Sequence, residues 1–219
     1  MIELFKLHWL FIKRPLIALD EYVQHWSLSL GITLYVFNFF AIYFRSGQTI
    51  SMMSDVLTAV FGLSGRIYVY GFLIIVTSYS VVFLFFVQPI IARMIAKMPK
   101  ESFNVELFRK VIFFSPTSSA IYSALVLLPV SIASSFLITD GNVSYQYLIL
   151  VFVQSILSLW AIIPLFNMFV IQWQGYKRFF SFTSFQIILM VIIIPFMLSS
   201  PIMIIFGSRY FSFMQNYMH

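Results

Sequence analysis

The chain has 219 residues, of which 61% are hydrophobic and 9% charged, with a mean hydropathy of +0.97. Soluble domains carry about 25% charged residues, so the composition excludes one and predicts a helical membrane domain of spans roughly 20 residues long. The net charge of +6 points to loop topology rather than to nucleic acid, because basic residues of membrane proteins gather in cytoplasmic loops; the lack of cysteine excludes disulfides, thiolate metal sites and a cysteine nucleophile.

Residues 1–25 are apolar but meet charges too early to span. Ile2, Phe5, Trp9 and Ile12 recur at helical spacing, with Glu3, Lys6 and Lys13 off that stripe. Pro15 breaks this helix or begins a new one, and Leu16, Leu19 and Val23 form a second stripe beside Asp20, Glu21 and Gln24. An amphipathic helix lying in the membrane interface is expected. The apolar run after Lys13 and Arg14 is interrupted by Asp20 and Glu21, which favours an uncleaved anchor over a cleaved signal peptide.

Spans are predicted at 26–44, 67–92, 111–138, 147–172 and 185–206, with a short outer tail at 207–219. The fold expected is therefore an all-α polytopic bundle of five transmembrane helices with an N-terminal interfacial helix. Residues 45–66 carry a helical signal, with Ser54, Thr58, Gly62 and Gly65 on one face, and read as a short helix on the outer surface. Thr139, Asp140, Gly141 and Asn142 make a tight polar turn. Pro89, Pro129, Pro164, Pro195 and Pro201 predict kinks, since each removes a backbone donor.

The segment 93–110 is the only long charged stretch, holding Arg93, Lys97, Lys100, Arg109 and Lys110 with Glu101 and Glu106. It reads as a turn around Pro99 between two short amphipathic arms. With the N-terminus cytoplasmic, the inner segments hold ten cations: Lys6, Lys13, Arg14, those five, Lys177 and Arg178. The outer ones hold three, Arg45, Arg66 and Arg209. That excess predicts an inner N-terminus and an outer C-terminus.

Every acid, histidine, lysine and arginine falls in a loop or at a helix end. This disfavours an ion-coupled transporter, which needs an ionisable group within the membrane. H-E-x-x-H, G-x-S-x-G and P-loop patterns are missing, and Gly62-Leu63-Ser64-Gly65 has the wrong spacing. His8 and His25 read as interfacial histidines rather than metal ligands, and Asn142-Val143-Ser144 as a turn rather than a glycosylation site. No catalytic, metal or cofactor site is predicted. Within the spans, Gln154, Ser158 and Asn167 are the candidates for an intramembrane polar face near the breaks at Pro129 and Pro164. The plainer reading of such residues, and of the small pairs Ser119/Ser123, Ala120/Ala124 and Ser131/Ser135, is helix-packing glue. Arg93, Lys97, Lys100, Arg109, Lys110, Lys177 and Arg178 are the candidate contacts for a cytoplasmic partner or anionic lipid.

The order of parts resembles the Yip1 family, in its short bacterial form. The resemblance rests on an apolar N-terminal segment leading to Lys13-Arg14-Pro15 and Trp26, and on Phe114-Ser115-Pro116 after a charged connector. It is densest over 157–188, around Gln172-Trp173-Gln174-Gly175-Tyr176-Lys177. It implies a non-enzymatic accessory or scaffold protein, working beside another membrane complex such as an ABC-type exporter or in membrane trafficking. The long cytosolic N-terminal region of eukaryotic members, which engage small GTPases, has no counterpart here. Membrane lipids, another membrane protein or a second copy are the expected partners, and a bacterial inner membrane the expected location, with Golgi or endoplasmic reticulum as the alternative. The competing function is a transporter or channel for a neutral or lipidic substrate.

Overall fold

A computed structural model describes residues 2–44, 65–99, 102–136 and 145–194, and every regular element among them is helical. The helices are α1 (Ile2–Lys13), α2 (Pro15–Ala18), α3 (Leu28–Phe44), α4 (Gly65–Val82), α5 (Gln88–Ala96), α6 (Val105–Phe114), α7 (Thr117–Tyr122), α8 (Leu128–Phe136), α9 (Tyr145–Trp160), α10 (Ile162–Phe180) and α11 (Ser184–Ile188). Three stretches are long and apolar enough to cross a membrane: Ile74–Ala96, Val105–Ala133 and Leu148–Phe180. Leu28–Ala41 and Ser184–Ile193 are shorter apolar helices. The protein is thus an all-helical membrane protein among its described residues. The predicted outer helix of 45–66 (save its last two residues), the turn at 139–142, the sequon, Lys100 and the tail with Pro195, Pro201 and Arg209 lie outside them.

The stretch Val105–Ala133 is the centre of the bundle. It is 72% buried inside the protein, against 22% for Ile74–Ala96 and 12% for Leu148–Phe180. The central helix begins earlier than the sequence pattern suggested, because Asn104 caps α6 by accepting from the Leu107 amide at 2.9 Å. A side-chain cap satisfies one of the orphan donors of the first turn, so helix starts six residues ahead of the predicted Val111. Likewise α10 carries helix to Phe180, where Ser181 ends it in a left-handed conformation. The predicted loop at 93–110 shrinks accordingly. Lys97, also left-handed, closes α5, and the fully helical α6 takes up residues 105–110. Phe103 pins the remaining turn by inserting among Phe108 and Phe180, with ring centroids 5.3 and 5.1 Å away.

Close approach to the central helix is made possible by two glycines. A Cβ on Gly175 would lie 2.6 Å from Val111 Cγ1, and one on Gly31 would lie 2.9 Å from Phe114 Cε2. α10 and α3 therefore touch α6 nearly backbone to side chain, the small-residue mode of helix association in membranes.

Three interruptions of the helices have a common cause. The π-turns Phe83–Val87, Ser123–Leu127 and Leu189–Ile193 each end two residues before a proline: Pro89, Pro129 and Pro195. A proline ring crowds the carbonyl four residues back, and a wider turn makes room for it. The fourth π-turn, Leu19–Val23, has no proline behind it.

Replacing Gly175 with alanine forces Val111 aside, and overpacking of this kind costs about 1–3 kcal/mol. The variant is expected to melt at a lower temperature in detergent, whereas Gly71→Ala, whose added Cβ meets nothing within 4 Å, should leave the melting temperature in place or raise it.

Candidate functional site

A proline leaves bare the carbonyl that its missing N–H would have engaged, and in a nonpolar bundle that carbonyl needs a donor from the protein. The described residues contain three such captures. Pro15 leaves the carbonyl of Phe11, and the Asn167 side-chain amide donates to it at 2.9 Å in a buried position. Pro89 leaves the carbonyl of Phe85, and Arg109 Nε donates to it at 2.8 Å. Pro116 cannot serve the carbonyl of Ile112, which accepts instead from the Ser115 amide at 3.3 Å and the Ser115 hydroxyl at 2.7 Å. In the π-turn at 189–193 the Gln88 side-chain amide likewise donates to the Met190 carbonyl at 3.2 Å.

Two of these captures, at Phe11 and Ile112, belong to one seam along α7 and α10, and α1 docks upon it. Ser115 Oγ accepts from Gln172 Nε2 at 2.9 Å, so the Phe114-Ser115-Pro116 and Gln172–Lys177 segments meet directly. His8 Nδ1 lies 3.0 Å from the Ser118 carbonyl and 3.1 Å from Ser118 Oγ, with its ring stacked 5.9 Å from Tyr122. Tyr122 in turn donates to the Leu157 carbonyl at 2.9 Å, tying α7 to α9. Phe11, fully buried, touches Tyr22 and Trp26, and Trp26 reaches Phe114 at 5.3 Å.

The docked face of α1 is Leu7, His8 and Phe11; the stripe Ile2, Phe5 and Trp9 is the exposed one. Measured along the helix at 1.5 Å per residue, Ser118 is about 12 Å from Lys110, so α1 lies beside the central helix and not level with its charged end. At that end the arm is tied twice more. Lys110 donates to the Gln24 carbonyl at 3.1 Å, and Arg178 meets Asp20 at 2.9 Å.

His8 Nδ1 donates to the Ser118 carbonyl when it carries the proton and accepts from the Ser118 hydroxyl when Nε2 does, and in either tautomer the contact ties α1 to α7. Ser118 is fully buried, and no carboxylate pairs with the imidazole among the described residues. No cluster of metal-ligating side chains occurs among the described residues. The geometry docks α1 onto the central helix.

The residues singled out in the sequence separate into distinct roles. Gln154 donates to Ser131 on α8 at 3.2 Å, Ser158 donates to the Gln154 carbonyl of its own helix at 2.6 Å, and Asn167 holds Phe11. Each of the three thus has its own partner. Among the cations, Lys110 is 14% exposed and bound to Glu106 and Gln24, while Arg178 is bound to Asp20. Arg109 stacks its guanidinium 3.8 Å from the centre of the Phe85 ring. Lys97 and Lys177 are exposed, and Arg93 is half-buried. His8, Gln88, Ser115 and Gln172 were missed as partners. The prolines were the available signal, since each proline's bare carbonyl can be counted off in the sequence.

Comparison of the chain with protein-family models, curated proteins and solved structures finds no match.

Asn167→Leu strands the Phe11 carbonyl, a loss of about 1–3 kcal/mol for a buried acceptor, and a spin label at Phe5 should report a mobile α1. Adding Pro15→Ala, which returns a backbone donor to Phe11, should restore its immobility. Burial holds the His8 imidazole below its ordinary 6.5, with the Ser118 carbonyl opposing the shift. The undocked arm therefore takes up a proton first. Docking is at full strength above about pH 6.5 and weakens as the pH falls through that value toward the docked pKa. The same label should grow more mobile on acidification, and His8→Gln should abolish that pH dependence.

Proposed function

We propose that the chain is a non-enzymatic, Yip1-like membrane scaffold that works by contacts with another membrane complex. The single observation that carries this reading is where the polar side chains go. His8, Arg109, Gln154, Asn167 and Gln172 all bond to the protein's own backbone or side chains, so the bundle's polarity serves its architecture. The outward face of the same helices is apolar, with Ile75, Phe86, Phe152, Leu159 and Phe166 exposed. Such a surface suits lipid and neighbouring helices.

Five spans with a cytoplasmic N-terminus, in a bacterial inner membrane, complete the proposal; Leu28–Ala41 and Ser184–Ile193 belong to the first and last. Its support is the clustering of charge at one end of the three long helices. Arg93 is near the end of α5, Glu106, Arg109 and Lys110 near the start of α6, and Lys177 and Arg178 near the end of α10. The ties from Lys110 to Gln24 and from Arg178 to Asp20 bring the N-terminal arm to that end. The arm acts as an interfacial amphipathic segment sunk beside the central helix, with Ile2, Phe5 and Trp9 toward lipid and Lys13 Nζ 4.8 Å above the Trp9 ring.

Affinity purification from native membranes should recover a stoichiometric membrane partner, and Lys97→Glu with Lys177→Glu should release one held at the charged end. Recovery of the protein alone, together with solute flux in liposomes that Gln154→Leu abolishes, would replace this reading with a transporter.

A further inference from the structure

We propose that Arg109 is a binding site for the phosphate of an anionic lipid headgroup. This deepens the reading above, since it rests on the charged end of the bundle lying at the headgroup layer.

Two contacts fix the guanidinium. Its Nε donates to the Phe85 carbonyl left bare by Pro89, and its plane sits 3.8 Å from the Phe85 ring centre. Both leave the terminal nitrogens uncommitted. Arginine has five N–H donors, of which Nε supplies one, and the four on the terminal nitrogens bond to nothing among the described residues. The charge is also unmatched. Its neighbour Lys110 pairs with Glu106 and Arg178 pairs with Asp20, whereas Arg109 has no carboxylate within ion-pair distance among the described residues. It is half-buried, unlike the exposed Lys97 and Lys177, so water compensates its charge less well than theirs. A half-buried, immobilised cation with its fork free is matched by a phosphate, which accepts from both terminal nitrogens at once.

The surroundings identify the source of that phosphate as lipid. The Phe86 ring stands 4.8 Å from the Phe85 ring that carries the guanidinium, and Phe86, Val82 and Ile75 are all exposed at helical spacing, leading away from the charged end. They form an apolar track suited to an acyl chain running away from the headgroup. Arg109 lies about 6 Å along α6 from its start at Val105, at the end of the membrane-crossing stretch where headgroups belong. A free phosphate offers the same oxygens but nothing for Phe86 and Val82.

The test is thermal unfolding of the full chain in nanodiscs of phosphatidylglycerol or phosphatidylcholine, with inorganic phosphate added to detergent-solubilised protein as a third arm. A higher melting temperature in phosphatidylglycerol is expected, and Arg109→Gln should lose most of that increment while Lys97→Gln with Lys177→Gln keeps it. Because Arg109→Gln also strands the Phe85 carbonyl, Pro89→Ala is combined with it to supply a backbone donor. The double variant should regain its stability in phosphatidylcholine and still lack the increment. Retention of the increment by the double variant overturns the site. So does equal loss in the lysine variants, which indicates a diffuse surface effect, or an equal rise with inorganic phosphate, which indicates a soluble anion site. Partner recovery is independent of these measurements, so its failure removes the scaffold reading and leaves this one standing.

Discussion

A carbonyl without its helical donor is the constraint around which this bundle is arranged. Water is scarce between membrane helices, so an unpaired backbone group carries a penalty that lipid cannot relieve. Pro15, Pro89 and Pro116 each create that condition, answered by Asn167, Arg109 and Ser115, and Gln88 answers the Met190 carbonyl in the π-turn at 189–193. Three of those answers cross between helices far apart in sequence. Kinks that would weaken isolated helices thus become the points at which helices are joined.

The joins converge on the central helix of residues 105–133. Gly31 and Gly175 let the backbones of α3 and α10 come against its Phe114 and Val111 side chains, and the aromatic group of Phe103, Phe108, Tyr176, Phe180 and Phe182 closes its charged end. Tyr176 stacks on Phe108 at 5.0 Å and is fully buried. Packing and hydrogen bonds must hold such helices together, because burying apolar surface in lipid supplies little drive. The N-terminal arm then docks on a bundle already set, through one imidazole, one amide and two charged contacts.

This arrangement links structure to the functional reading. Residues that a polar pathway would need, such as Gln154 and Asn167, instead brace α8 and α1. Among the described residues the exposed surface is left to apolar side chains along the helices and to basic ones at the charged end and on α1. Both are surfaces for neighbours, lipid or protein. Arg109 stands between these two zones, with its aromatic and carbonyl contacts on one side and its free fork on the other.

Much of the molecule could be read directly. Its membrane class follows from composition, because so few charges cannot coat a soluble domain of this length. The sites of the helix breaks also follow, since proline lacks a donor wherever it sits, and counting back four residues from Pro15 and Pro89 identifies Phe11 and Phe85 before any fold is known. The partners could not be read. Asn167 reaches Phe11 across 156 positions, and periodicity records only which face a residue shares within its own helix. The same limit explains α1, whose apolar stripe of Ile2, Phe5 and Trp9 was visible, while its docked face of His8 and Phe11 was decided by the polar seam waiting on α7 and α10. Sequence determined which backbone groups would be bare; tertiary structure decided which side chain would cover each, because only the approach of distant helices brings a donor within hydrogen-bond reach.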